Sequence, residues 1–357
     1  MGREKLDFRN HLPVPNSAEA LTPDWFTSAL GMDDCRVEAV ELDRFVAGAT
    51  SKAFLRLRYS QPGRPDLPAS VCVKGNLETE SSPYSVSHVT EARFFRDIAP
   101  ALDIPLPRSF HADEDGERGI VVFEDLAAAG AQFPIASTAW APADVAKILE
   151  LLARLHSATW GTRAGNPWWL EVGSTALRRG GEALFTPEAW SGGMDRHRLR
   201  KLLPESLHEV TGVRAANSLL QKHDDASQAH VLCHGDAHPG QVYVTPEGTR
   251  ALLDWQTVSL APWAKDVSYF LGGALSVPDR RDHERDLLRG YLDALVRCGG
   301  PAIPYDQAWT DYRRQSLQGL VWLVVTDAMQ DPAVVEVMVE RYATAVADLT
   351  PLHLPGG

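Results

Sequence analysis

The chain has 357 residues, of which 44% are hydrophobic and 23% charged, and its formal net charge is −12. That length allows two domains of ordinary soluble composition. The acidic balance argues against a nucleic-acid surface, which needs clustered Lys and Arg, and no apolar run is long enough to cross a bilayer.

Residues 1–36 read as an N-terminal helical extension. Met1 to Asp7 lacks the apolar core of a signal peptide, and Leu6 stands where a myristoylation signal needs Ser or Thr, so the expected location is cytoplasmic. Thr22-Pro23-Asp24 offers an N-cap and a first-turn proline ahead of Trp25, Phe26 and Leu30 on one helical face. From residue 37 to 126 the pattern is a small nucleotide-binding sheet with one helix. Val40 to Phe45 alternates, Gly48-Ala49-Thr50-Ser51 turns, Phe54 to Tyr59 alternates again, and Val71-Cys72-Val73-Lys74 is a strand ending in a lysine. Val89 to Ile98 has the spacing of a helix, with Phe94, Phe95 and Ile98 on one side. Gly119 to Phe123 is an apolar strand that stops at Glu124-Asp125-Leu126.

From residue 127 to 357 the chain is mainly helical. Val145, Ile148, Leu149, Leu152 and Leu155 mark an amphipathic helix, and helical stretches return over 282–296 and 309–348. Between about 159 and 228 the sequence is irregular and rich in Trp, Gly and charge. The four cysteines, Cys35, Cys72, Cys233 and Cys298, form no CxxC pair, so neither a disulfide framework nor a zinc ribbon is expected.

The chemistry concentrates in one block. His234-Gly235-Asp236 is followed by Gln241 five residues after the aspartate, then by a hairpin signal (Val242 to Thr245, Pro246 to Thr249, Arg250 to Leu253), then by Asp254 eighteen positions after Asp236. Phosphoryl transfer uses such a set: one carboxylate to orient an attacking hydroxyl, an amide and a second carboxylate to hold magnesium. Gly235 permits the sharp turn that presents Asp236 from a loop. A carboxylate at the exit of an apolar strand, as at Asp254, needs a partner, and a bound cation is a natural one. Lys74 ends a strand and Glu91 opens a helix 17 positions later, a spacing that lets the pair hold an ammonium on phosphates. His230, His234 and His238 recur every four residues like a helical zinc site, but Gly235 and Pro239-Gly240 argue against a continuous helix there.

In these motifs the chain resembles the aminoglycoside phosphotransferase family, among the protein-kinase-like small-molecule kinases that include the choline kinases. His234-Gly235-Asp236 through Gln241 is similar to its H-G-D-x-x-x-x-N loop, and Leu253-Asp254-Trp255-Gln256 to its metal-binding element. The likeness runs from about residue 40 to 345. It implies an α+β fold of protein-kinase-like, bilobal form, with a small mixed-sheet N-lobe and a larger helical C-lobe. It also implies a transfer of the γ-phosphate of ATP, or GTP, to a hydroxyl of a small molecule. Asp236 would take the acceptor's proton, Asp254 and Gln241 would bind Mg2+, and Lys74 with Glu91 would address the phosphates. Gly48, Thr50 and Ser51 would form the phosphate loop, and Phe123, Glu124, Asp125 and Leu126 the adenine edge. Asp266 would steady the catalytic loop, with His234 in it and His156 supporting it from a helix. The implied partners are a nucleoside triphosphate and a hydroxyl-bearing acceptor.

Two departures stand out. Gln241 replaces an asparagine, and its extra methylene shifts the amide by about one C–C bond; this motivates an alternative, a nucleotide-binding pseudokinase or regulatory module. The segment Ala47 to Ser51 carries a single glycine and reads equally as a hairpin turn. The acceptor region holds Trp160, Trp168, Trp169 and Trp190 with Glu171, Glu182, Asp195, Glu205 and Glu209. Tryptophan faces suit a cation or a greasy ring, though packing explains them as well. Without a dense acidic patch, a less charged hydroxylated metabolite or natural product is expected in preference to an aminoglycoside-like antibiotic.

Overall fold

The computed structural model describes residues 12–47, 50–61, 67–77, 85–161, 167, 169–173, 184–227, 229–327 and 329–349. By its contacts the chain divides into two compact units. Met1–Gln132 and Tyr243–Thr257 form the first, and Phe133–Val242 with Val258–Gly357 the second. A division in chain order cannot express this, because the hairpin after Gln241 joins the unit that precedes it.

The first unit is built on a sheet of β1 (Val37–Val46), β2 (Ser51–Tyr59), β3 (Ser70–Gly75), β4 (Ser109–Glu114) and β5 (Gly119–Glu124), in the order β1-β2-β3-β5-β4. The fold class is as expected, but the sheet is antiparallel at every one of these pairings instead of mixed. The reason lies in the connections. The helix after β3 carries the chain past the neighbouring position, and β5 then returns between β3 and β4. Alternation along β2 and β3 buries Ala53, Leu55, Val71 and Val73 on one face, where Trp25 and Phe26 of α1 (Pro23–Ala29) cover them. Thr22 caps α1 by accepting from the Trp25 amide at 3.2 Å. Each large apolar side chain in such a core contributes roughly 1.5–3 kcal/mol by leaving water.

The other sheet face carries Lys52 and Lys74, which are direct cross-strand partners and therefore point the same way. The helix expected over 89–98 starts earlier, as α2 (Ser85–Arg93), and continues through a π turn at Phe94–Ile98. Gly119 allows β5 to approach it: a Cβ there would collide with the backbone of His88. Phe95 then meets Phe123 edge-on at 4.7 Å, which anchors α2 against the sheet.

In the second unit, α3 (Pro142–Thr159) has Val145, Ile148, Leu149 and Leu152 buried, as its periodicity requires. The strands β6 (His230–Cys233) and, further along, β9 (Ser259–Pro262) pair antiparallel. Between α3 and β6, the stretch expected to be irregular contains α4 (Pro187–Arg196) and α5 (Val210–Ala226). The hairpin strands β7 (Val242–Val244) and β8 (Arg250–Leu252), which belong almost wholly to the first unit, lie where the turn signal places them. After β9 come α6 (Ala264–Ala274), with most of its length buried, α7 (Val277–Arg297), α8 (Tyr305–Gln315) and α9 (Pro332–Leu349). The helix expected over 309–348 is thus broken. Ser316–Val324 tightens to a 3-10 helix, and α9 begins anew at Asp331-Pro332, where Asp331 Oδ1 accepts from the Ala333 amide at 2.8 Å. Among the described residues no helix is long and apolar enough to cross a membrane.

Candidate active site

In the first unit, Lys74, Glu91 and Asp254 meet. The Lys74 ammonium lies 2.7 Å from Glu91 Oε2 and 2.6 Å from Asp254 Oδ1. Lys74 and Glu91 are 5% and 2% exposed, so this is a charge cluster of low dielectric rather than a surface ion pair. Burial would pull the lysine's pKa down, but the charges of Asp254 and Glu91 outweigh it and raise the value, holding the ammonium charged. Glu91 has a second task, since its Oε1 accepts from the Trp255 amide at 3.0 Å. Trp255 stacks on Phe94 at 4.3 Å, so α2 fixes both the lysine and the backbone next to Asp254. Asp254 has φ +64°, a left-handed conformation that Asp tolerates better than most residues. Such strain recurs at sites where a side chain must be aimed.

The remaining first-unit residues are less uniform. Ser51 is buried and opens β2 opposite Gly75, with Thr50 in a bend before it. Gly48 lies outside the described residues. Phe123 and Glu124 end β5. Asp125 Oδ1 accepts from the Ala127 and Ala128 amides at 3.1 Å, while the Leu126 carbonyl accepts from Ala131 at 2.9 Å. The Leu126 amide has no hydrogen-bond partner among the described residues. Lys52 belongs to none of the sequence motifs. Its cross-strand register with Lys74 puts a second cation on that face, and Glu91 feels its charge.

In the second unit, the loop that carries Asp236 is pinned from below. Asp266 Oδ2 accepts from the His234 amide at 2.7 Å, and Oδ1 from the Gly235 amide at 2.9 Å. His156 Nε2 lies 3.4 Å from Asp266 Oδ2, and its Nδ1 is 2.8 Å from the Tyr291 hydroxyl. Burial would raise the Asp266 pKa, but the hydrogen bond to His156 and the neighbouring imidazoles and amide keep it below the usual value. Gly235 has φ +87°, the conformation expected of a turn glycine. Cys233 completes a buried group with His156 and Asp266, but its thiol is turned to the Pro262 carbonyl at 3.5 Å, and burial raises its pKa far above the range where a thiolate forms.

Asp236 itself stays partly open, its side chain 29% exposed. Gln241 Nε2 donates to Asp236 Oδ2 at 3.1 Å. Tyr269 also lines the cavity at Asp236, where burial, helped by that carboxylate's charge, raises the phenol's pKa, and its hydroxyl accepts from Trp322 Nε1 at 3.0 Å. Its signal was its spacing: Asp266 and Tyr269 are three residues apart on α6 and so share a face toward the loop. A cavity of about 580 Å³ opens at Gly235 and Asp236, with walls from α5, α6 and the 316–324 turn. Of the tryptophans in the acceptor region, Trp190 is core, its indole donating to the Leu207 carbonyl at 3.0 Å, and Trp169 is buried. Trp160 lines a different cavity. Asp195 and Glu209 flank Arg200 at the surface, Glu205 starts a 3-10 turn, and the Glu171 carbonyl accepts from Leu260. Trp168 and Glu182 lie outside the described residues. The histidine trio does not gather on a metal: His230 Nε2 bonds the Asp224 carbonyl at 2.6 Å, and His238 Nδ1 caps Gly240 at 3.1 Å.

A family model described as the phosphotransferase enzyme family matches residues 79–313. The chain belongs to that family. The matched span takes in Glu91, Asp236, Gln241 and Asp254, among the residues on which the resemblance to aminoglycoside phosphotransferases rests, and begins after Lys74. Among solved structures, the microcompartment-associated aminopropanol kinase is similar, with a TM-score of 0.50 at 13% identity over 90% of this chain and 95% of that one. That likeness is one of fold. Choline kinase LicA from Streptococcus pneumoniae gives 0.49 at 16% identity (91% and 96% covered), and macrolide 2'-phosphotransferase MphH from Brachybacterium faecium 0.47 at 20% (91% and 97%). No curated protein matches the chain.

Proposed function

We propose that this family member is an ATP- and magnesium-dependent O-phosphotransferase acting on a hydroxyl of a small molecule. The observation that carries the reading is Asp236: a loop locked by Asp266 presents its carboxylate to a cavity of small-molecule size. Asp236 accepts the proton of the acceptor hydroxyl, oriented by Gln241. Lys74, kept cationic by Glu91, addresses the nucleotide phosphates, with Lys52 beside it. The Leu126 amide is the donor available to the adenine edge. The carboxylate of Asp254 and the amide oxygen of Gln241 are hard donors of the kind magnesium takes. Asp254 would help to hold the ion, whose charge when bound offsets that of the transferring phosphoryl group. Catalysis rests on positioning and charge, with little covalent work by the protein.

Incubation with γ-labelled ATP, magnesium and a panel of hydroxylated metabolites tests this. Metal-dependent appearance of a labelled acceptor is expected; ATP that neither binds nor is consumed would overturn it. One observation motivates the pseudokinase alternative: Gln241, a methylene longer than the family's asparagine, ties its side chain to Asp236. Stabilisation by ATP that ignores magnesium in a thermal-shift titration would point that way.

A further inference from the structure

The cavity at Asp236 holds a charge that these roles leave unused. Lys265 lines it from the first turn of α6, where the helix dipole disfavours a cation. The residue is half-buried, yet its ammonium makes no hydrogen bond or ion pair with any described residue. Arg214 of α5 lines the same cavity; one guanidinium nitrogen donates to the Phe185 carbonyl at 2.6 Å, which aims the fork and leaves its other donors available. The cavity also contains Asp224, but that carboxylate is committed: Oδ1 accepts from Gln315 Nε2 at 2.7 Å. Burial raises its pKa, with the charge of Lys265 acting against that. Leu260, Leu317 and Val321 give the cavity an apolar wall.

Resting on the phosphotransferase reading, we infer that the acceptor is a hydroxylated anion. Its hydroxyl meets Asp236, its apolar body lies along Leu260 and Leu317, and its carboxylate or phosphate is taken by Lys265 with Arg214. Such a group would meet two cations that make no ion pair with any described residue, whereas an amine-bearing acceptor would meet two like charges in a cavity whose carboxylates, Asp224 and Asp236, already accept from Gln315 and Gln241. The anion has two sources, the acceptor itself or the phosphates of the nucleotide, and binding measurements separate them.

Isothermal titration calorimetry without nucleotide, using phenyllactate, the diol made by reducing its carboxyl group, and phenylalaninol, provides the test. The acid should bind the protein most tightly. Lys265→Met should weaken the acid about tenfold, the scale of one charge-assisted hydrogen bond, and Lys265→Glu should turn the preference toward phenylalaninol. Arg214→Gln is a second variant on the exposed side of the cavity, and it should weaken the acid in the same direction. Equal binding of acid and diol, or a preference of the unaltered protein for the amine, would overturn the inference. A tenfold loss of ATP affinity in Lys265→Met with phenyllactate binding unchanged would also overturn it, because the cation would then serve the nucleotide. Calorimetry needs no turnover, so the two readings fail separately. Labelled phosphate passing to the diol but not the acid would sink the anionic acceptor and keep the phosphotransferase. Lys265-dependent acid binding with no transfer to any acceptor would do the reverse.

Discussion

The Lys74 cluster and the Asp266 cluster both immobilise acidic side chains, but by different means. Around Lys74, full charges touch in a buried place, and the three residues come from a strand, a helix and the exit of a hairpin. Around Asp266, a carboxylate is satisfied by two backbone amides and an imidazole, with no Lys or Arg ion pair to it among the described residues. The first arrangement fixes a cation; the second fixes the course of a loop. The carboxylate that neither arrangement consumes, and that is open to the cavity, is Asp236.

Removing the cation should break the first cluster most severely. Lys74→Met leaves Glu91 buried without its counter-charge, at a cost of about 3–5 kcal/mol in a denaturant titration, along with loss of transfer. Adding Glu91→Leu to it should recover part of that stability and none of the activity, which separates charge compensation from packing. Asp254→Asn is milder on the fold, because Asn tolerates φ +64° and still offers Lys74 an oxygen. Its midpoint should stay near that of the unaltered protein while transfer falls by about 10²–10³-fold, the scale of one lost electrostatic contact.

The second cluster should respond differently. Asp266→Asn keeps one acceptor oxygen and strands one amide, costing about 1–3 kcal/mol. It should lower kcat with little change in nucleotide KM, because the loop shifts and the Lys74 group does not. The pH dependence adds a second readout. The Asp266 pKa lies below its ordinary value of 3.8 in the folded protein, so its stabilisation is present above that pH and is lost as pH falls through the folded value. In Asp266→Asn that share of the acid-side loss should be absent from a series of melts. The smallest effect should come from Gln241→Asn, which withdraws the amide from Asp236 by about one methylene and should change kcat by tenfold or less. A rise would mark Gln241 as a brake on turnover, and a fall would mark it as fitted to Asp236.

Much of this was legible in the residues. Thr22-Pro23 marks the start of α1, alternation marks β2 and β3, and Gly235 announces the turn that carries Asp236, because each depends on neighbours in sequence. Lys74 with Glu91 was readable from spacing along a strand and a helix. The contact of Lys74 with Asp254 joins residues 180 positions apart. The resemblance placed both among the groups around the nucleotide, but neither spacing nor periodicity contains their pairing. The break between α8 and α9 escaped because Leu320 to Val325 is apolar enough to continue a helical pattern, while the tighter turn is set by packing. Helix α5 was hidden by its polarity, though Val210, Val213, Ala216 and Leu220 keep helical spacing. Tyr269 had a signal in its spacing from Asp266, whereas Lys265 became visible only when α6 set it beside the cavity.

The most direct test is one variant assayed twice. Asp236→Asn should bind ATP in the presence of magnesium with an unchanged Kd, yet transfer labelled phosphate about 10³-fold more slowly than the unaltered protein, as expected when a proton acceptor is removed. Transfer by Asp236→Asn at the unaltered rate would contradict the account.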